Sequence, residues 1–216
     1  MLKLRNNLRY WPARILKRVF DLVAALALLV LGALPLLYIA WRIKRDGGPA
    51  IFAHKRVGQS GKIFPCFKFR TMQVDAEERL RELLANDPAA RAEWEREFKL
   101  RNDPRITTIG QFLRRTSLDE LPQLFNVIRG EMSLVGPRPC LFNQDELISE
   151  RALRAVFNAR PGITGLAQVN NIDMSTPKLL AETDARMLNE LTMSAYFKYI
   201  LMTVGGKGAG DRVKTK

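Results

Sequence analysis

Ser117-Leu118-Asp119-Glu120-Leu121-Pro122 places two adjacent carboxylates just ahead of a proline. Proline is tolerated in a helix only within its first turn, so Asp119 and Glu120 are expected at the start of a helix over 116–128. Unpaired N–H groups at such a start favour negative charge, and can also receive a phosphate. Arg114 and Arg115 stand just before the pair. A carboxylate with cations close by stays ionised at neutral pH. It can then coordinate Mg²⁺, or attack phosphorus to form an acyl phosphate. Mg²⁺ takes one or two protein carboxylates and completes its shell with substrate phosphates and water. The same two residues also read as a helix N-cap and a favourable first-turn acid. Arg138 is held between Pro137 and Pro139, after Gly136. A pre-ordered guanidinium grips phosphate at low entropic cost; the alternative is a solvent-facing arginine in a tight turn.

The segment that precedes this chemistry is apolar. The run from Leu22 to Trp41 has no charged residue, and as a helix it rises about 30 Å, close to the thickness of a hydrocarbon core. It is too long for the core of a signal peptide, and no small-residue cleavage site follows it. Lys3, Arg5, Arg9, Arg14, Lys17 and Arg18 lie before it, and Arg42, Lys44 and Arg45 after it. Positive clusters stay on the cytoplasmic side, so a helix that enters, bends and returns fits both flanks better than a simple span. Pro35 offers the bend, with local freedom from Gly32. Asp21, at the membrane edge, is expected to pair with Lys17 or Arg18, or to sit at the interface unpaired.

Across 216 residues Lys and Arg outnumber Asp and Glu by 35 to 22, a net charge of +13. That excess calls for an anionic partner: lipid, phosphorylated substrate or nucleic acid. No nucleic-acid motif or aromatic-interleaved basic stripe is present, so nucleic acid is not expected. Cys66 and Cys140 form no CxxC pair and His54 is the sole histidine. A structural zinc site is therefore not expected, and two reduced, buried thiols are expected in preference to a disulfide.

The fold class expected is α+β, mainly helical with a short β-hairpin. Ile51 to Val57 and Lys62 to Arg70 read as its strands, joined by the Gly-rich 58–61. Phe67 and Phe69 share one face, Lys68 and Arg70 the other. Two charged helices follow, from Asp75 to Asn86 and from Pro88 to about Lys99, and they read as solvated. Ile106 to Leu113 is amphipathic. Asp145 to Phe157, Thr176 to Leu191 and Ala195 to Val204 read as helices, the last apolar enough for a membrane interface. Gly136–Pro139 and Arg160–Gly165 read as loops. The organisation expected is a basic N-terminus with its membrane helix over 1–46, a catalytic domain over 47–204 and a basic tail over 205–216.

His54-Lys55-Arg56-Val57-Gly58, Lys68-Phe69-Arg70-Thr71-Met72, Ser117 to Leu124, Gly136-Pro137-Arg138-Pro139 and Pro161-Gly162-Ile163-Thr164-Gly165 stand in one order behind a hydrophobic segment. In this, residues 17–170 resemble the bacterial sugar transferases, the monotopic polyprenyl-phosphate phosphoglycosyl transferases. The resemblance implies a re-entrant membrane helix, interfacial amphipathic helices and a site on the cytoplasmic face of the bacterial inner membrane. It implies that Asp119 attacks the β-phosphate of a UDP-sugar, that UMP leaves, and that polyprenyl phosphate then takes the sugar phosphate from Asp119. Glu120 would assist metal binding or proton transfer, and Mg²⁺ would be held by Asp119 and Glu120. Arg138 matches a phosphate-binding arginine, with Lys68, Arg70 and Arg114 as further candidates. Anionic lipids are expected partners. The donor sugar and the oligomeric state are left open. The chain departs from some members at Leu34-Pro35, where they carry Ser before Pro. Its stretch 77–99 resembles an insertion of longer members, whose extra N-terminal membrane domain is expected to be missing here. A basic membrane-surface adaptor without catalysis is the competing reading, and it leaves the acid pair and the double-proline arginine without a use.

Overall fold

In the computed structural model the described residues are 11–97, 100, 102–172 and 175–206. Lys3, Arg5, Arg9, Lys99 and the tail 207–216 lie outside them. Helix α1 (Trp11–Leu31) and helix α2 (Ala33–Lys44) meet at Gly32 with a bend of 65°. The expected cause is in place. Pro35 cannot donate to the Leu31 carbonyl, and its ring crowds that carbonyl, so the helix breaks one turn before the proline. Hydrogen bonds resume on either side, Gly32 N–H to Leu28 O and Leu36 N–H to Gly32 O, both at 2.9 Å. Among the described residues no single helix is long and apolar enough to cross a membrane; the bent pair together meets that measure by length and composition. Its outer face leaves Val23, Leu26, Val30, Leu34 and Leu37 exposed.

Strands β1 (Ile51–Val57) and β2 (Ile63–Phe69) form the antiparallel hairpin, with Ile51 opposite Phe69 and His54 opposite Cys66. Its strand limits match the alternation in the sequence to within one residue. A second sheet was not expected. Strands β3 (Ser133–Val135) and β4 (Gly162–Thr164) pair in parallel, where the Gly/Pro content of 160–165 reads as loop. Three residues are too few for any periodicity to register.

Between these elements lie α3 (Ala76–Asn86), α4 (Pro88–Glu97), α5 (Thr108–Thr116) and α6 (Gln123–Ile128). After β3 come α7 (Asp145–Leu153), the one-turn α8 (Leu166–Val169), α9 (Pro177–Glu190) and α10 (Met193–Val204). The helix expected to reach Phe157 ends at Leu153, because Ala155 turns left-handed at φ 54°. Helix α1 packs on α6, β3 and α10 around Ala25, Phe64, Leu124, Val127, Met132 and Tyr196. A second apolar cluster joins Val57 and Cys140 to Leu147 and Leu180. Both cysteines are buried free thiols, as expected.

Of the two placements expected for Asp21, the structure shows the paired one, inside the protein core. Asp21 is 2 % exposed. The expected pairing with Lys17 does form, at 3.1 Å. Asp21 also accepts from Ser133 Oγ (2.9 Å), the Leu134 amide (3.0 Å) and the Tyr196 phenol (2.6 Å). The acid of the hydrophobic helix is thus the polar anchor that ties α1 to β3 and α10. An interfacial face on α10 is compatible with this, since Phe197, Leu201 and Val204 stay exposed while Tyr196 is buried.

Candidate active site

The helix expected over 116–128 is broken in two. Helix α5 stops at Thr116 and Ser117 turns left-handed at φ 58°. Leu118–Glu120 form a single 3₁₀ turn, and α6 begins only at Gln123. The cap positions of the turn and of α6 are Ser117 and Pro122, neither with a side-chain capping bond. Asp119 therefore does not stand where an N-cap stands. Pro122 is still at a helix start, but it places the acid pair in the turn before the helix, not in its first turn.

The turn faces the hairpin. Lys68 Nζ lies 2.8 Å from Glu120 Oε1 and 3.6 Å from Asp119 Oδ2. Arg138 Nη2 reaches the same Glu120 oxygen at 3.3 Å. Burial alone would raise the Glu120 carboxyl, but Lys68, Arg138 and Arg56 outweigh it and hold it down at about 2. Opposite charges this close favour the ionised form. Asp119 itself is 9 % exposed. The spacing between hairpin and acid turn is set by Asn126 on α6, which is fully buried. Its Oδ1 accepts from the Phe67 amide at 3.0 Å and its Nδ2 donates to Pro65 O at 2.7 Å. One side chain thereby supplies both a donor and an acceptor to the backbone of β2, beside Lys68.

Arg138 is positioned by the unexpected parallel sheet. Gly136 N–H donates to Thr164 O at 2.9 Å, and Gly162 N–H to Pro137 O at 2.8 Å. The two backbones approach so closely that a Cβ on Gly162 would lie 2.0 Å from the Gly136 nitrogen. The two Gly/Pro motifs, far apart in sequence, are therefore one structure.

Of the residues singled out by sequence, Lys68, Asp119, Glu120 and Arg138 come together. Arg70 and Arg114 are given other partners. Arg70 donates to Asp46 at 2.8 Å and to the carbonyls of Ile43, Pro49 and Met72, binding the end of α2 to the hairpin. Arg114 Nε donates to Thr71 Oγ1 at 2.9 Å. Two residues to which sequence gave no role line the cleft beside Lys68, Glu120 and Arg138: Arg56 and Gln123. Arg56 Nη1 also donates to Pro139 O at 3.4 Å. Strand alternation puts Arg56 on the face of Cys66 and Lys68, and that pattern was available in the sequence. Cys66 lines the same cleft. Burial pushes its thiol up to about 11, so it is neutral at physiological pH and no rival to a carboxylate as nucleophile.

This arrangement sets one ionised carboxylate among three fixed cations and a second acid next to it. It is suited to an anionic, phosphate-bearing substrate. Asp119 and Glu120 supply only hard oxygen donors, and no group of three or more acid, His or Cys side chains forms a cation cage among the described residues. That donor set fits Mg²⁺ bound together with substrate phosphates, the usual mode for this ion.

A model of the family described as bacterial sugar transferase matches residues 12–207. This extends the 17–170 of the sequence resemblance at both ends. The chain is 54% identical over 182 residues to an undecaprenyl-phosphate galactose phosphotransferase of Salmonella typhimurium, covering 82% of this chain and 37% of that protein. It is 53% identical over 173 residues to a UDP-galactose-lipid carrier transferase of Erwinia amylovora, covering 79% and 35%. A UDP-glucose:undecaprenyl-phosphate glucose-1-phosphate transferase of Escherichia coli is 38% identical over 201 residues, covering 88% and 40%. The chain thus spans 35% to 40% of the length of these relatives.

Proposed function

Because the chain belongs to the bacterial sugar transferase family, we propose that it moves a sugar 1-phosphate from a UDP-sugar to a polyprenyl phosphate, with Asp119 as nucleophile. The observation that carries this reading is the Lys68–Asp119–Glu120–Arg138 cluster, an acid turn enclosed by cations. A carboxylate oxygen of Asp119 attacks the β-phosphorus of the donor. The phosphoanhydride bond breaks and UMP leaves with its electron pair. The sugar phosphate remains as an acyl phosphate on Asp119. An oxygen of the polyprenyl phosphate then attacks the same phosphorus, forming a polyprenyl diphosphate sugar and restoring the carboxylate.

Arg138 and Lys68 hold the diphosphate and offset charge that develops on its oxygens. Arg56 acts with them from the hairpin. Glu120 keeps both cations directed at the site, and stands next to Asp119 for metal binding or proton transfer. Mg²⁺ held by Asp119 and Glu120 with the diphosphate would neutralise charge on the leaving UMP. Arg70 and Arg114 serve the scaffold in this reading.

The bent α1–α2 pair would enter the bilayer from the cytoplasmic face of the inner membrane and return to it, keeping the basic residues of both ends on that side. The exposed apolar residues Phe112, Phe125 and Ile128 on α5 and α6, with Phe197 and Leu201 on α10, suit an interfacial seat near anionic lipids. Such a seat presents the site to a lipid-borne acceptor. The relatives named above point to undecaprenyl phosphate as the acceptor and to galactose or glucose as the sugar. The test is UMP release from a panel of UDP-sugars with undecaprenyl phosphate and Mg²⁺. Release from one donor only supports the reading, and release from none contradicts it.

A further inference from the structure

The loop that carries Arg138 has almost no donors of its own, because Pro137 and Pro139 lack N–H groups. It is held instead by its carbonyls. Pro137 O accepts from the Gly162 amide, Arg138 O from Arg151 Nη1 at 2.8 Å, and Pro139 O from Arg56. Three successive carbonyls are thus taken by three separate elements: β4, α7 and β1. The middle donor is unusual. Arg151 is 1 % exposed, and its Nε and Nη2 both bind Asp184 Oδ2, at 3.0 and 2.6 Å. Asp184 on α9 is fully buried. A buried pair of this kind adds little net stability over apolar side chains of the same size. What it supplies is a rigid donor aimed at one carbonyl, which no apolar residue can provide.

We propose that Arg151, held by Asp184, is a positioning residue for Arg138. It fixes the backbone of the residue whose guanidinium reaches Glu120, and so sets where that guanidinium meets a phosphate. The proposal rests on the reading of Arg138 as a phosphate-binding group. It implies that α7 and α9, which carry none of the reacting groups, control the site through a single hydrogen bond.

The test is a double-mutant cycle in the full chain, purified in detergent, combining Arg151→Lys with Arg138→Ala. Lysine keeps the charge beside Asp184 but loses the forked geometry. Two quantities are read: kcat/KM for UMP release, and the affinity for inorganic pyrophosphate by calorimetry. With Arg138 present, Arg151→Lys should lower kcat/KM by about tenfold, as small misplacements of a binding group do. With Arg138 replaced by Ala it should change kcat/KM by less than about twofold, since the two residues act as one unit. The affinity for pyrophosphate should follow the same pattern. An equal loss in both backgrounds would mark Arg151 as a general structural residue and overturn the proposal. If Arg151→Lys does not fold, Asp184→Asn takes its place in the cycle, and failure of both to fold would also overturn it. Wild-type protein that releases no UMP but binds pyrophosphate with the expected cycle would defeat the transferase reading and leave the positioning role standing. Wild-type protein that binds no pyrophosphate would overturn the positioning role.

Discussion

The Tyr196 phenol donates to the Asp21 carboxylate at 2.6 Å, joining residues 175 positions apart. Burial, reinforced by the negative charge of Asp21, raises the phenol well above its ordinary range, so it remains a donor. The bond locks α10 onto the hydrophobic helix, and the Leu134 amide locks β3 to the same carboxylate. Removing one neutral donor is a small loss, whereas removing the acid leaves Lys17, Ser133 and Tyr196 facing a void. Tyr196→Phe is expected to cost about 1 kcal/mol, and Asp21→Ala about 3 kcal/mol or more. Thermal unfolding in detergent checks the order, with Asp21→Ala melting well below Tyr196→Phe.

Glu120 titrates at about 2, below its ordinary 4.5. A depressed carboxyl contributes stability that is present above the unfolded value and is lost as pH falls through the folded one. Glu120 therefore contributes fully above about pH 4.5, and its contribution fades from there towards about pH 2. UMP release should lose nothing through Glu120 between about pH 5 and pH 8. Lys68→Met removes the largest attraction on this carboxylate. It should lift the Glu120 pKa and bring a new acid limb into the pH–rate profile at higher pH than in the wild type.

Gly162→Ala would put a methyl group against the Gly136 backbone. No flexible side chain is there to move aside, so β3 and β4 must separate. The expected cost is about 3 kcal/mol, with a loss of UMP release that exceeds the loss of folded protein because Arg138 shifts with the strand. Parallel melting and activity curves separate the two effects.

The bend at Gly32 depends on Pro35. Gly32→Ala with Pro35→Ala restores a donor for the Leu31 carbonyl and favours a continuous helix. On the proposed re-entrant placement, a thiol at Lys44→Cys should then become reactive from the periplasmic side of intact cells, whereas the same thiol in the bent protein should be protected there. Cys66 and Cys140 are buried and do not interfere.

The hairpin, the bend and the acid pair were legible because each has a local signature: strand alternation, a proline in an apolar run, adjacent carboxylates before a proline. The break at Ser117 was not, since nothing marks a serine for left-handed backbone where the flanking residues read as continuous helix. The β3–β4 pairing joins residues about thirty apart through strands too short for periodicity. Its signal was present as two Gly/Pro motifs, but their contact is a tertiary fact. Asn126 and Arg151 were invisible for the same reason: a buried polar side chain is recognised by its partners, not by its neighbours in sequence. Arg70 and Lys68 share a strand face in the sequence, yet Asp46 captures one and the acid turn the other.

Covalent capture on Asp119 separates the transferase mechanism from every other use of this site. The protein is incubated with UDP-galactose or UDP-glucose and Mg²⁺ without polyprenyl phosphate, quenched, and mapped by peptide mass. The mechanism requires one sugar phosphate on the peptide carrying Asp119, released when undecaprenyl phosphate is added, and absent in Asp119→Asn. UMP release with no adduct at Asp119, or undiminished release by Asp119→Asn, would contradict it.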